Sequence, residues 1–359
     1  LLQISHIDLL QFRNYPSANF SFQERITAIC GPNGKGKTNL LDAIYYLCFT
    51  KSYFSKPDQQ SVEIGSQGFR LSAGFQKRGE TMDIALLLRE NNKKELKIDG
   101  ETITPFSAHI GRLPVVFVAP DDVVLISGSS EERRKLVDTV LSQTDPEYLH
   151  ALIKYGRVLQ ERNKYLKNQD GAQIDFTLLE AFDEQLVDFG TRILLKRNSF
   201  FNIYLPIVEE LFGFISDGNE KPNLVYAPST SVEGYKQDLL LNRQKDLILQ
   251  RTTIGVHKDD LEINLQALPF KQMASQGQRK SMLFALKLAE FEYLKNHFGF
   301  EPIMLLDDIF EKLDQKRLEK LLEWVCKKNK GQVLLTDTHT DRISNALSDN
   351  ALTYHLIQL

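Results

Sequence analysis

Ile29-Cys30-Gly31-Pro32-Asn33-Gly34-Lys35-Gly36-Lys37-Thr38-Asn39 lies near the start of a 359-residue chain. From Gly31 to Thr38 it fits G-x-x-x-x-G-K-[ST], the pattern of a phosphate-binding loop. The flanks suit that reading. Residues 25–30 form a short apolar run around Ile26, Ala28 and Ile29, which predicts a buried strand. Behind the loop, Leu40, Leu41, Ile44, Leu47 and Cys48 recur at helical spacing. Strand, loop and helix in that order let glycine backbone N–H groups turn onto phosphates at a helix N-terminus. Lys37 would reach the β- and γ-phosphates, and the Thr38 hydroxyl would sit on Mg²⁺.

The totals set wider bounds. A chain of this length holds one large domain or two. Hydrophobic residues make up 42%, enough for a full core, and no apolar run approaches a membrane span. The first residues alternate apolar and polar, unlike a signal peptide. Cys30, Cys48 and Cys326 lie far apart without metal spacing, which suits reduced thiols and a cytoplasmic location. The net charge is −3, so any nucleic-acid contact must come from a local basic patch.

Residues 1–120 read mostly as strands with one helix behind the loop. Leu2 to Leu9 alternate, and Phe12-Arg13-Asn14-Tyr15-Pro16 is a turn. Arg13 and Tyr15 are candidates to touch a base or ribose, and a plain surface turn is an equal reading. Leu113-Pro114-Val115-Val116-Phe117-Val118 is an apolar strand that ends in Ala119-Pro120-Asp121-Asp122. Residues 121–250 read as a helical lobe, with a loop or short hairpin at 213–230. Residues 251–359 return to mixed structure. There Ile303-Met304-Leu305-Leu306 is a buried strand ending in Asp307-Asp308, followed by a turn at Leu313-Asp314. A second strand, 332–335, ends at Thr336-Asp337-Thr338-His339.

Beside a phosphate loop, the strand ending in Asp307 has the Walker B form. Asp307 is the expected Mg²⁺ ligand together with Thr38. Asp308 is then placed to orient or deprotonate a water, so Asp308 and Lys37 are the catalytic candidates. Ser275-Gln276-Gly277-Gln278 precedes a long helix. Taken alone it is an N-cap, with Ser275 capping Gln278. The order of the parts adds a second reading. Phosphate loop, long insertion, S-x-G-Q, Walker B, Leu-Asp and a strand ending near a histidine is the order of ATP-binding-cassette ATPases. On that reading Ser275, Gly277 and Gln278 complete the site of the opposite subunit.

Phe12-Arg13-Asn14-Tyr15, the loop at 31–38, Ala119-Pro120-Asp121-Asp122, Gly255-x-His257-x-Asp259-Asp260-Leu261, Ala274-Ser275-Gln276-Gly277-Gln278 and Leu305-Leu306-Asp307-Asp308 run through the whole chain. In that order they resemble the motif series of the RecF family of bacterial recombination mediators. The resemblance implies an α/β fold, an SMC-type ATPase head at 1–120 and 251–359 with an inserted compact helical lobe at 121–250. It also implies an ATP-dependent homodimer, binding to duplex DNA and single-strand gaps, and slow, DNA-stimulated ATP hydrolysis. Partners would be RecR and RecO, indirectly RecA, and no membrane. Asp121 and Asp122 stand where transporter ATPases carry a glutamine loop, and Asp308 where they carry a longer glutamate. His339 and Asp337 are equal candidates for the switch residue. A bracing role for His257 and Asp260 is slightly preferred.

Two other readings compete. A transporter subunit would need the glutamine loop. A small-molecule P-loop kinase would not need S-Q-G-Q or a lobe of this size. For DNA, the best candidate is the helix at 147–168. One side of it carries Lys154, Arg157, Lys164 and Lys167, interrupted by Glu161 and Ile153. A solvated charged face is the bland alternative.

Overall fold

The computed structural model describes residues 1–54, 57–168, 174–216, 221–265, 268–308, 315–348 and 353–359. The Leu313-Asp314 turn lies outside the described residues. In chain order the elements are β1 (Leu2–Phe12), β2 (Tyr15–Ser21), β3 (Ile26–Cys30), α1 (Lys37–Phe49), β4 (Phe69–Lys77), β5 (Glu80–Leu88), β6 (Lys94–Ile98), β7 (Glu101–Thr102) and β8 (Val115–Val118). Next come α2 (Val124–Ser127), α3 (Ser130–Thr144), α4 (Pro146–Lys167), α5 (Phe176–Ile215), β9 (Asn223–Ala227), α6 (Tyr235–Leu249), β10 (Asp260–Leu265), β11 (Leu268–Pro269) and α7 (Phe270–Met273). The chain finishes with α8 (Gln276–Phe298), β12 (Ile303–Leu306), α9 (Gln315–Leu322), a π-helical turn (Glu323–Lys328), β13 (Val333–Asp337), α10 (Thr340–Ser348) and β14 (His355–Gln358).

Two compact units result. The first comprises Leu1–Asp122, Glu210–Asn219 and Ser275–Leu359, and the second Val123–Glu209 and Glu220–Ala274.

The first unit holds two sheets. An antiparallel sheet runs β2-β1-β4-β5-β6-β7, and a parallel sheet runs β14-β3-β13-β12-β8. Strands β3, β8, β12 and β13 are buried along their whole length, as continuous apolar runs in a covered parallel sheet should be. Helix α1 is buried nearly all round, which a helix apolar on every side requires. Its Leu40, Ile44 and Leu47 share one core with Ile7, Leu9 and Phe69 of the antiparallel sheet and Phe117, Leu305 and Leu334 of the parallel one. The carboxyl ends of β3, β13 and β12 lie side by side, the usual place for a ligand crevice in such sheets.

The second unit packs α3, α4, α6 and most of α5 with a three-stranded sheet, β11-β10-β9. At 213–230, expected as a loop or short hairpin, the described residues form the end of a helix and a single strand. Helix α5 continues to Ile215, and β9 pairs antiparallel with β10 from Asn223↔Asn264 to Ala227↔Asp260. Residues 251–265 therefore stand in the second unit. Its brace is the Gly255-to-Asp260 run. Gly255 has a φ of 129°, and a Cβ there would lie 2.3 Å from the Tyr235 hydroxyl and 2.4 Å from that of Tyr155. His257 Nδ1 pairs with the Tyr155 hydroxyl at 2.7 Å, and burial pushes the imidazole down to about 4. Asp259 meets Arg197 at 2.8 Å, and Asp260 holds Arg133 by two bonds of 2.7 and 2.9 Å.

Candidate nucleotide-binding site

Strand β3 ends at Cys30 near the middle of the parallel sheet, and the chain turns tightly there. Gly34 and Gly36 take φ values of 81° and 105°. A Cβ on Gly36 would stand 2.7 Å from both Asn14 Nδ2 and the Tyr15 hydroxyl, so conformation and space each demand glycine. Gly36 caps α1 without a side chain, and the N–H groups of the first turn stay available to an anion. Pro32, Asn33, Gly34 and Lys35 form an exposed tip, while Gly31, Gly36 and Lys37 are buried. Lys37 Nζ donates to the carbonyls of Gly31 (2.8 Å) and Pro32 (3.3 Å), which holds the ammonium inside the loop.

The turn between β1 and β2 braces this loop. Asn14 Nδ2 donates to Lys35 O at 3.1 Å and the Tyr15 hydroxyl to Gly36 O at 3.0 Å. Asn39 Nδ2 donates to Asn14 Oδ1 at 2.7 Å. Arg13 reaches Asp42 of α1 at 2.5 Å and the Ser52 hydroxyl at 2.9 Å. Asp42 is buried, and burial raises its carboxyl above the usual range against the pull of Arg13. Asn14, Asp42 and Ser52 carry this bracing, and sequence reasoning gave Asn14 no bracing role and passed over the other two. A signal was present, since Asp42 is the one charged group inside a run of apolar helix residues and had to find a partner.

The second half of the site comes from β12 and β13. The Thr38 hydroxyl lies 3.0 and 2.9 Å from the two carboxylate oxygens of Asp307. Thr336 at the end of β13 donates to Asp307 Oδ1 at 2.8 Å and accepts the Asp308 N–H at 2.9 Å. Burial pushes the Asp307 carboxyl up to about 6, only partly offset by the bonds from Thr336 and Thr38. Such a carboxylate favours a compensating cation. Among the described residues no group of three or more His, Cys, Asp or Glu side chains forms a metal cage. One hydroxyl and one carboxylate fit Mg²⁺, which keeps waters and phosphate oxygens as its other ligands.

The remaining candidates fall as follows. Asp308 follows Asp307 with a φ of 43°. Asp337 is buried beside the loop, and its carbonyl accepts the Gly31 N–H at 3.3 Å. His339 is exposed, and its N–H donates to Asp337 Oδ1 at 2.7 Å. Ser275 and Gln278 form a complete capping box on α8. A Cβ on Gly277 would meet the Arg317 guanidinium at 2.0 Å. Asp122 is committed elsewhere. It accepts the Ala119 N–H at 2.9 Å and the Tyr53 hydroxyl at 2.5 Å, and lies 3.7 Å from Lys287 of α8. Lys287 is buried, is 3.3 Å from Glu290, and lies over the Tyr53 ring. Burial works against its charge, yet Glu290 and Asp122 hold its pKa above the ordinary value. In the second unit, Arg157, Lys164 and Lys167 of α4 are exposed and Lys154 is half-buried. Arg162 points inward to Asp183 and Asp246, both at 2.8 Å.

Comparison with known proteins adds the lineage. The family described as the RecF/RecN/SMC N terminal domain matches residues 3–356. The DNA replication and repair protein RecF of Cytophaga hutchinsonii is 40% identical over 99% of this chain and 94% of its own. That of Flavobacterium johnsoniae is 39% identical over the full length of both. A solved structure of the recombination mediator protein RecF with ATP, in the RecFOR pathway, superposes with a TM-score of 0.87 at 28% identity, over 94% of this chain and 92% of that one. An Smc head bound to the C-winged helix domain of ScpA shares the fold, with a TM-score of 0.56 at 16% identity over 96% and 92% of the two chains. A family model that matches residues 3–356 and relatives about 40% identical along the whole length leave one assignment: the chain belongs to the RecF/RecN/SMC family.

Proposed function

We propose that this protein is an ATP-gated DNA clamp, a recombination mediator that acts in the bacterial cytoplasm with RecO- and RecR-type partners to promote RecA loading at single-strand gaps. The observation that carries the reading is the Thr38–Asp307 contact beside the glycine loop, which joins a phosphate cradle to a cation-seeking carboxylate. The loop N–H groups from Gly31 to Thr38 bind the phosphates, and the Lys37 ammonium exchanges its loop carbonyls for β- and γ-phosphate oxygens. Thr38 and Asp307 would hold Mg²⁺, which would neutralise developing charge on the phosphates. Asp308 orients or deprotonates the attacking water, and Asp337 or His339 reports on the γ-phosphate. Hydrolysis is slow and stimulated by DNA. Relatives that are RecF proteins of DNA replication and repair favour this reading over a transporter subunit or a small-molecule kinase.

Dimerisation on nucleotide is the central test. A second copy would offer Ser275, Gly277 and Gln278 to the γ-phosphate held by the first. Ser275→Arg is expected to keep monomer ATP affinity and to block ATP-induced dimerisation in gel filtration. A cation there opposes the helix dipole and fills the space, while the lost cap costs about 1 kcal/mol. Dimerisation at wild-type ATP concentration would reduce Ser275 to a helix cap. If the wild-type chain stays monomeric with ATP, the clamp reading itself falls.

DNA contact is assigned to the exposed face of α4. Arg157→Glu with Lys164→Glu is expected to weaken duplex binding. It should lower the slope of log K against log salt by about 0.9 per lost phosphate contact, with ATP-driven dimerisation intact. Wild-type binding at every salt concentration would leave this face as solvated surface only.

A further inference from the structure

Some basic residues of the first unit are ion-paired, and others, Arg25 among them, are held by carbonyls instead. Arg13, Lys94, Arg89 and Lys287 are ion-paired to carboxylates. Lys77, Arg78 and Arg112 are not, among the described residues. These three meet where the β4–β5 turn, the loop before β8 and the end of α8 come together. Lys77 Nζ and the Arg78 guanidinium lie 5.4 and 5.1 Å from the centroid of one ring, Phe300. Lys77 also donates to Arg112 O at 2.6 Å, Arg78 to Phe298 O at 2.8 Å, and Arg112 Nε to Ala108 O at 3.1 Å. Every one of these partners is a carbonyl or a ring, so the cations are fixed in place but their charge is not cancelled. Burial lowers the Lys77 pKa, and Arg78 and Arg112 lower it further. The acid nearest to Lys77 and Arg78 in sequence is Glu80, opposite Lys77 in the hairpin, and Glu301 follows Phe300. Neither makes an ion pair among the described residues.

Uncompensated cations held close together cost free energy unless an anion joins them. On a chain of net charge −3 such a cluster is not a by-product of overall basicity. Arg78 and Arg112 are exposed, Arg78 held by ring and carbonyl and Arg112 by the Ala108 carbonyl, and each guanidinium offers a planar fork that matches phosphate oxygens. We propose that Lys77, Arg78 and Arg112 form a second nucleic-acid contact, on the ATPase unit, that takes the phosphodiester backbone of DNA. The proposal rests on the DNA-clamp reading above.

The test uses the full chain with ATP, carrying Arg78→Gln and Arg112→Gln. Its binding to a defined duplex and to a single-stranded oligonucleotide is measured across a salt series. Both substituted positions are exposed, and an unchanged melting temperature checks the fold. Two lost contacts are expected to reduce the salt slope by about 1.8 on duplex or about 1.4 on single-stranded DNA, and the substrate affected identifies the backbone taken. Wild-type affinity and slope on both substrates, in a chain whose α4 double variant does lose slope, would overturn the patch alone. A wild-type chain that binds neither substrate would overturn the clamp reading and the patch together.

Discussion

Lys37→Ala is expected to weaken ATP binding by on the order of a hundredfold or more. In the structure the ammonium is buried and directed into the loop by two carbonyls. It is the one cation of the phosphate loop held inside it, since Lys35 lies at the exposed tip. Hydrogen bonds to charged groups contribute about 1.5–3 kcal/mol each, so losing two of them amounts to roughly two decades in Kd. Titration calorimetry with ATP measures this directly. Thermal melting gives a second readout. Ligand at about 100 times its Kd stabilises a fold by about 2.7 kcal/mol, and that upward shift should vanish in the variant. Wild-type affinity in Lys37→Ala would remove the phosphate-loop assignment.

Asp308→Asn is expected to keep ATP binding, to slow hydrolysis by about 10²- to 10⁴-fold and to accumulate the ATP-bound dimer. Asparagine is the informative replacement because the backbone at 308 has a φ of 43°, a region that asparagine tolerates and most residues do not. The Asp308 N–H can still donate to Thr336, so Asp307 stays in position. Phosphate release and gel filtration on one preparation give both quantities. Hydrolysis at the wild-type rate would pass the water-handling role to another residue, with buried Asp337 next in line.

The parts of the site that a linear pattern encodes were legible in the sequence. The glycine loop, Thr38, Asp307 and the helix after Ser275 depend on local chemistry: turn glycines, a strand-end carboxylate, a cap. What was not legible depends on partners far along the chain. Arg13 read equally as a nucleotide contact or as part of a surface turn, and its bonds to Asp42 and Ser52 come from residues 29 and 39 positions on. The stretch Asn223-Leu224-Val225-Tyr226-Ala227 is only five residues long and lies between prolines. It reads as loop or short hairpin, and its actual partner is the distant β10, with Asp260 at its start. Thr336 was given no role because a threonine at the end of a buried strand has many uses. Only the fold sets it between Asp307 and the Asp308 amide.

The Asp122–Lys287–Glu290 cluster has a consequence for how the chain can change over generations. All three side chains are buried, and each offsets the desolvation of another. Removing Lys287 strands both carboxylates at a cost of about 3–5 kcal/mol, whereas exchanging the whole set for well-packed apolar side chains, with acceptors kept for the Ala119 N–H and the Tyr53 hydroxyl, is close to neutral. A protein with about 5–15 kcal/mol of total stability can seldom take the first of those steps and survive to take the next. The three positions are therefore expected to be exchanged together rather than singly, and the melting temperature of Lys287→Met set against that of a joint apolar replacement checks it.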